Sequence, residues 1–136
     1  ILRNPQSIRP WQHVLEPLSG YLVLAEKLYN NKIRNVKQNW NFGPNLGSCK
    51  SVKYVANHFA KSLKLKIKLI RANNRTFKLE TSFLRLSNFK SKKFLKWYPK
   101  WTLEETMNRI LDWNRDIKFK SPKIVCANQI RDFLKN

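Results

Sequence analysis

The sequence predicts a helix-rich α/β chain of the α+β kind, a single domain over residues 1–136 with a few short strands. Three observations predict it. Apolar residues recur at helical spacing in three stretches, near residues 17–29, 51–63 and 102–113. Apolar and basic residues alternate strictly over 64–69, the period of a strand with one buried face. A length of 136 residues with 42% hydrophobic composition is enough for one modest core.

Arg3 to Leu28 organises the chain. Its first part is extended and carries Arg3, Arg9, Trp11, Gln12 and His13. Pro17 opens the first helix, since its missing N–H would be unpaired there in any case, and Glu16 sets negative charge at the helix's positive end. Leu18, Tyr21, Leu22, Ala25, Leu28 and Tyr29 are expected to form the buried face. After a polar stretch, Trp40–Pro44 reads as a short strand ending in a Gly-Pro turn. Ser51 is the expected N-cap of a helix reaching Leu63, with Val52, Val55, Ala56, Phe59, Ala60 and Leu63 inward and His58 toward solvent. Lys64–Leu69 is the alternating strand, its lysines protecting an exposed edge. Asn73 and Asn74 mark a turn. Phe83–Leu86 is a short strand, and Ser87 or Asn88 caps a helix ending near Leu95. The Trp97–Trp101 stretch breaks it. Thr102 and Glu105 have the spacing of a capping box, which explains Glu104 and Glu105 better than an acid–base pair does. The helix behind them is expected to bury Met107, Ile110, Leu111 and Trp113. A basic connector, Asp116–Lys123, leads to a terminal helix from about Ala127 that buries Ile130, Phe133 and Leu134.

Charge is the strongest compositional feature, with 28 Lys and Arg against 8 Asp and Glu, a net +20. The lysines are spread along the chain, and scattered charge attracts polyanions without reading a sequence, so no specific nucleic acid is expected. Cys49 and Cys126 stand alone, and His13 and His58 are each isolated, which predicts two reduced thiols and no metal site. No apolar run is long enough to cross a bilayer and the N-terminus does not resemble a signal peptide; a soluble, cytoplasmic chain without a membrane partner is expected. The sequence begins at Ile1 and its only methionine is Met107, so it reads as a piece of something longer.

Ile8-Arg9-Pro10-Trp11-Gln12-His13-Val14-Leu15-Glu16-Pro17-Leu18-Ser19-Gly20-Tyr21-Leu22 resembles the segment that opens the substrate-domain helix of CDP-glucose 4,6-dehydratases, lyases of the extended short-chain dehydrogenase/reductase family. Trp40-Asn41-Phe42-Gly43-Pro44 resembles the segment that follows that helix. Leu86 to Trp101, the Thr102 helix and Cys126–Ile130 continue the family's order. Ser87 stands where such enzymes usually have an aspartate, and Leu79 stands where a histidine commonly precedes the glutamate now at Glu80.

The resemblance implies the helix-rich, substrate-binding C-terminal region of such an enzyme, with the N-terminal Rossmann half absent. The glycine-rich cofactor turn and the Tyr-x-x-x-Lys pair of that half do not occur here: Gly20, Gly43 and Gly47 form no such motif, and no tyrosine has a lysine four residues later. The chain is therefore expected to hold no cofactor and no catalytic residue and to be inactive alone, NAD being implied for the full-length enzyme. Its role would be to bind the sugar nucleotide, CDP-glucose, in deoxysugar synthesis for surface lipopolysaccharide. Arg9 is the candidate for the diphosphate, Gln12 and Asn41 for polar contacts, and Arg3 for the nucleotide end. Asn41 bonding its own turn, and Arg9 as a packing residue, are the plainer readings; Trp11 reads as core rather than a stacking platform. Expected partners are the missing half and, in the full-length form, a second copy; alone, the uncovered apolar surface should make the chain marginal or associating. Two other readings remain: a basic nucleic-acid-binding domain, which needs the lysines on one continuous face, and a non-catalytic interaction remnant, in which Arg9 and Asn41 share no cleft.

Overall fold

Ile8–Pro10 (β1) and Cys49–Ser51 (β2) form an antiparallel pair with Arg9 opposite Lys50. These belong to a computed structural model that describes residues 2, 4–33, 39–68 and 81–135. Ile8 also bridges Phe83 in parallel, through Ile8 N–H to the Ser82 carbonyl at 2.8 Å and Leu84 N–H to the Ile8 carbonyl at 3.1 Å. Four helices follow or flank this sheet: α1 (Leu15–Tyr29), α2 (Val52–Ser62), α3 (Leu103–Asp116) and α4 (Pro122–Lys135). Among the described residues, a 3-10 turn at Leu46–Ser48 and a π-helical turn at Ser91–Leu95 complete the regular elements.

The three strongest helix signals correspond to α1, α2 and α3, and caps explain the starts of the last two. Ser51 Oγ accepts the Tyr54 N–H, which fixes the first turn of α2. Thr102 and Glu105 form the reciprocal box: Thr102 Oγ1 accepts from Glu105 N–H at 3.2 Å while Glu105 Oε2 accepts from Thr102 N–H at 2.7 Å. Pro17 lies in the first turn of α1, which begins two residues before it, at Leu15. Helix α4 begins at Pro122 and absorbs part of the expected connector.

The buried face of α1 is the principal correction. Leu18, Tyr21, Leu22, Ala25 and Tyr29 are exposed, Tyr29 at 88%. The face that packs carries Glu16, Gly20, Val23 and Leu24. Both rows of this helix are apolar, so periodicity alone does not choose between them; Gly20 does, because a Cβ there would overlap the ring of Phe42. The same ambiguity displaces inward residues elsewhere. Leu63, Ile110, Ile130 and Leu134 are exposed, whereas Leu103, Thr106 and Val125 are buried. Met107, Val55 and Phe133 are buried as expected, and Leu111 and Trp113 are half-buried.

Residues 65–68 form no ladder; Leu65 is exposed, its N–H donates back to the Ala60 carbonyl at 2.8 Å, and Leu2 N–H donates to the Lys68 carbonyl at 3.0 Å. Alternation without a neighbouring strand to pair is not sufficient for a sheet. Trp40–Pro44 is irregular backbone rather than a strand, and the stretch after Phe83 pairs only through that single bridge. The helix expected up to Leu95 closes as a π-turn, ended by left-handed Lys96 at φ 57°. His58 is half-buried against Phe59, its Nε2 buried without a hydrogen-bond partner, so it does not face solvent. The Asn73–Asn74 turn, Leu69, Leu79 and Glu80 lie outside the described residues.

Two apolar clusters hold these elements. Phe42, Leu95 and Trp97 pack with Val23, Leu24, Ile33 and Trp40 beneath α1. Val55, Leu103 and Met107 pack with Trp11 and Phe59 between α2 and α3. Trp11 is thus a core-edge residue, its indole N–H donating to the Lys50 carbonyl at 2.9 Å.

Candidate functional site

The Asn41–Pro44 turn is held by hydrogen bonds from two directions. From the segment behind β1, Gln12 Nε2 donates to the Phe42 carbonyl at 2.8 Å. From the π-turn side, Asn88 Nδ2 donates to the carbonyls of Gly43 and Pro44 at 3.0 and 3.2 Å, and the fully buried Ser91 Oγ donates to the Asn41 carbonyl at 2.7 Å. Every peptide carbonyl from Asn41 to Pro44 is therefore bonded by a side chain, which leaves little freedom in the turn. Phe42 anchors it by setting its ring edge-on to Tyr21 and Trp97, at centroid distances of 5.4 and 5.1 Å. Gly43 lets the backbone run beneath Leu86, where a Cβ would collide.

Gln12 and the Asn41 turn, 30 residues apart in sequence, are thus brought into direct contact. The Asn41 side chain is exposed and its carbonyl accepts from Ser91, whereas the Gln12 Oε1 is buried without a hydrogen-bond partner. Arg9 is half-buried, and its Nη1 donates to the carbonyls of Ile8 and Thr81, both at 2.9 Å. Arg3 lies outside the described residues. Asn88 and Ser91 were not singled out from sequence as site residues. Their signal is two small polar residues on the inner side of a lysine-rich turn, legible only once that side is known.

A second junction fixes the start of α1. Glu16 is 1% exposed, and its carboxylate accepts the N–H groups of Lys100 at 3.1 Å and Trp101 at 2.8 Å. Burial raises its pKa, and the Trp101 and Lys100 N–H groups oppose that rise. His13, ahead of the helix, is also buried; its Nδ1 accepts the Leu15 N–H at 3.3 Å and its ring meets Trp101 edge-on at 4.9 Å. Burial, with the nearby Arg109 guanidinium, lowers the His13 pKa. At the opposite charge balance, the Thr102 N–H and hydroxyl hold Glu105 below its ordinary value.

Among the hollows that adjoin these elements, two bear on the site. An apolar one of about 330 Å³ lies between the start of α1 and helices α3 and α4, lined by His13, Val14, Ile110, Trp113, Cys126 and Ile130. A groove of about 750 Å³ lies between the Asn41–Pro44 turn and the π-turn, with Arg85, Asn88, Phe89 and Lys92 on its walls. Arg9, Gln12 and Asn41 line neither. Among the described residues no His, Cys, Asp and Glu group is arranged for a metal ion, both cysteines are free thiols, and no helix is long and apolar enough to cross a membrane.

No protein-family model matches the chain. A CDP-glucose 4,6-dehydratase of Salmonella typhimurium is 34% identical to it over 142 residues. That match takes in 98% of this chain and 37% of the dehydratase, so the chain spans little more than a third of its relative's length. Along nearly all of its residues, therefore, this chain matches the C-terminal part of CDP-glucose 4,6-dehydratase.

Proposed function

We propose that this chain is the sugar-nucleotide-binding region of a CDP-glucose 4,6-dehydratase, an extended short-chain dehydrogenase/reductase enzyme of deoxysugar and surface-polysaccharide synthesis in the cytoplasm, and that it is inactive alone. The observation that carries the proposal is the 34% identity over 98% of the chain. The side-chain-bonded Asn41–Pro44 turn supports it, because a wall that binds a flexible diphosphate gains affinity from being ordered beforehand.

Within that reading Arg9 and Arg3 supply guanidinium donors to the diphosphate and the nucleotide end, and the exposed Asn41 side chain supplies an amide contact. Gln12 acts through the Phe42 carbonyl that it holds, with its Oε1 left to accept a donor. These residues do not fit a nicotinamide cofactor. Gly20 is inside α1, Gly43 is beneath Leu86 and Gly47 is in the 3-10 turn, so none stands at a strand-to-helix turn that could cradle a pyrophosphate. No step of hydride transfer or water elimination is assigned to this chain.

In a full-length dehydratase carrying this region, Arg9→Ala is expected to weaken CDP-glucose binding by about 1.5–3 kcal/mol, the range for a hydrogen bond to a charged group. Isothermal titration calorimetry reads this directly, and an unchanged affinity removes Arg9 from the site.

A further inference from the structure

The stretch from Thr81 to Leu103 contains no carboxylate and six cations: Arg85, Lys90, Lys92, Lys93, Lys96 and Lys100. Two of them serve the fold, Lys90 donating to the Asn39 carbonyl and Lys100 to the Phe133 carbonyl, each at 3.0 Å. None of the six is ion-paired with a described residue. Over the same stretch the large side chains divide sharply. Leu95, Trp97 and Trp101 are buried, whereas Phe89, Phe94 and Tyr98 are exposed at 66%, 56% and 57%.

The π-turn sets that division. Ser91 and Leu95 occupy its inner side, and Leu95 and Trp97 are locked into the apolar cluster beneath α1. Left-handed Lys96 closes the turn, with Trp97 N–H donating back to the Ser91 carbonyl at 3.3 Å. Lys93, Phe94 and Lys96 are left on the outer side, and rotating the turn to bury them would pull Leu95 from its cluster. Lys93 Nζ lies 5.7 Å from the ring centroid of Phe89 and 5.4 Å from that of Phe94, so one ammonium joins both rings into a single patch. Lys92 extends it, lying 5.9 Å over the Tyr98 ring and sharing a groove wall with Phe89.

Exposed rings beside ammonium groups, with no negative charge among them, suit a surface that is anionic on top and apolar beneath. A lipid bilayer has that layering: aromatic rings settle at headgroup level while lysine heads, on flexible stems, reach the phosphates. Nucleic acid also offers phosphates, but its bases stack on open ring faces, and here Lys93 lies over both phenylalanines and Lys92 over Tyr98.

We infer that the patch centred on Phe89, Lys93 and Phe94 rests on the anionic surface of a lipid bilayer as a peripheral contact. The inference goes beyond the sugar-nucleotide reading and does not depend on it. Among the described residues no helix is long and apolar enough to cross a membrane, and a patch that lies on one needs none. The length of apolar runs, on which the expectation of no membrane partner rests, does not register a patch of this kind.

The test is co-sedimentation of the 136-residue chain with vesicles of phosphatidylglycerol and phosphatidylcholine in equal parts, with pure phosphatidylcholine vesicles and a vesicle-free control alongside. Salt at about 0.15 M screens most of the long-range attraction of a chain of net charge +20. Binding to the anionic vesicles alone is expected. Phe89→Ser and Phe94→Ser, which leave the charge unchanged, should each weaken it by about tenfold, the loss of one inserted ring. Lys93→Gln should weaken it by about fivefold, the effect of one cation near an anionic surface. Leu22→Ser, at an apolar position on α1 that is 72% exposed, should leave it unchanged. All four positions are exposed, so the variants retain the fold, which far-ultraviolet circular dichroism checks. Anionic-vesicle binding that the Phe89, Lys93 and Phe94 variants leave intact is diffuse attraction to the net charge and overturns the proposal. So do equal binding to pure phosphatidylcholine, a loss confined to Leu22→Ser, and no binding to either vesicle. A single-stranded oligonucleotide bound with the Phe89 and Phe94 dependence, where vesicles are not bound, would assign the patch to nucleic acid and overturn it as well.

Discussion

Gly20 lies inside α1, where glycine costs about 0.5–1 kcal/mol relative to alanine in an unconstrained helix. Its retention here follows from contact with Phe42, whose ring occupies the space a Cβ would need. Gly20→Ala is therefore expected to destabilise the chain by about 1–3 kcal/mol, an overpacking cost that outweighs the gain in helix propensity. Urea denaturation followed by circular dichroism measures it, and a variant more stable than the parent would show that Phe42 can move aside. Glu16 illustrates the same limit on reading residues singly. Its position at the start of a helix accounts for a favourable charge, but its partners are N–H groups 84 and 85 residues away, invisible to local pattern.

Elements meet at His13. It joins the entry to α1, the Trp97–Trp101 stretch and α3, through the Leu15 N–H, the Trp101 ring and the Arg109 charge. Protonation at Nδ1 would cost the bond from Leu15 and place a second cation near Arg109. Because the folded pKa is below the ordinary 6.5, the unfolded chain binds the proton more readily. The stability contributed by neutral His13 is thus complete above pH 6.5 and is lost as pH falls through that value toward the folded pKa. Unfolding midpoints should decline between pH 7.5 and 5.5, and His13→Gln should shrink that decline. An equal decline in the variant would assign it to other groups; Glu16, with its raised pKa, contributes in the opposite sense, its stabilisation fading as pH rises above 4.5 through its folded value. The starts of α2 and α3 were legible because capping is local: Ser51, and Thr102 with Glu105, do what their spacing implies. The faces of α1 and α4 were less so, because each carries apolar residues on more than one side and only the neighbouring element selects among them.

At the scale of the whole molecule, the outer face of α1 leaves Leu18, Tyr21, Leu22 and Tyr29 in solvent, beside a chain that spans 37% of its dehydratase relative. Such a face favours self-association in isolation. Sedimentation velocity is expected to show association that grows with concentration and weakens in Leu22→Lys, a position 72% exposed. A concentration-independent monomer with a sharp, high thermal transition would contradict it. The sequence by itself determined the caps of α2 and α3, a glycine spacing that forms no cofactor motif and the likeness to the dehydratases, because these rest on local hydrogen bonding and motif order. It did not determine that Asn88 and Ser91 hold the Asn41 turn, that Arg85 and Lys92 face one groove, or that α1 turns its glycine row inward. Those were decided by tertiary structure, since each depends on contact between residues tens of positions apart, and periodicity in one helix carries no information about the shape of its neighbour.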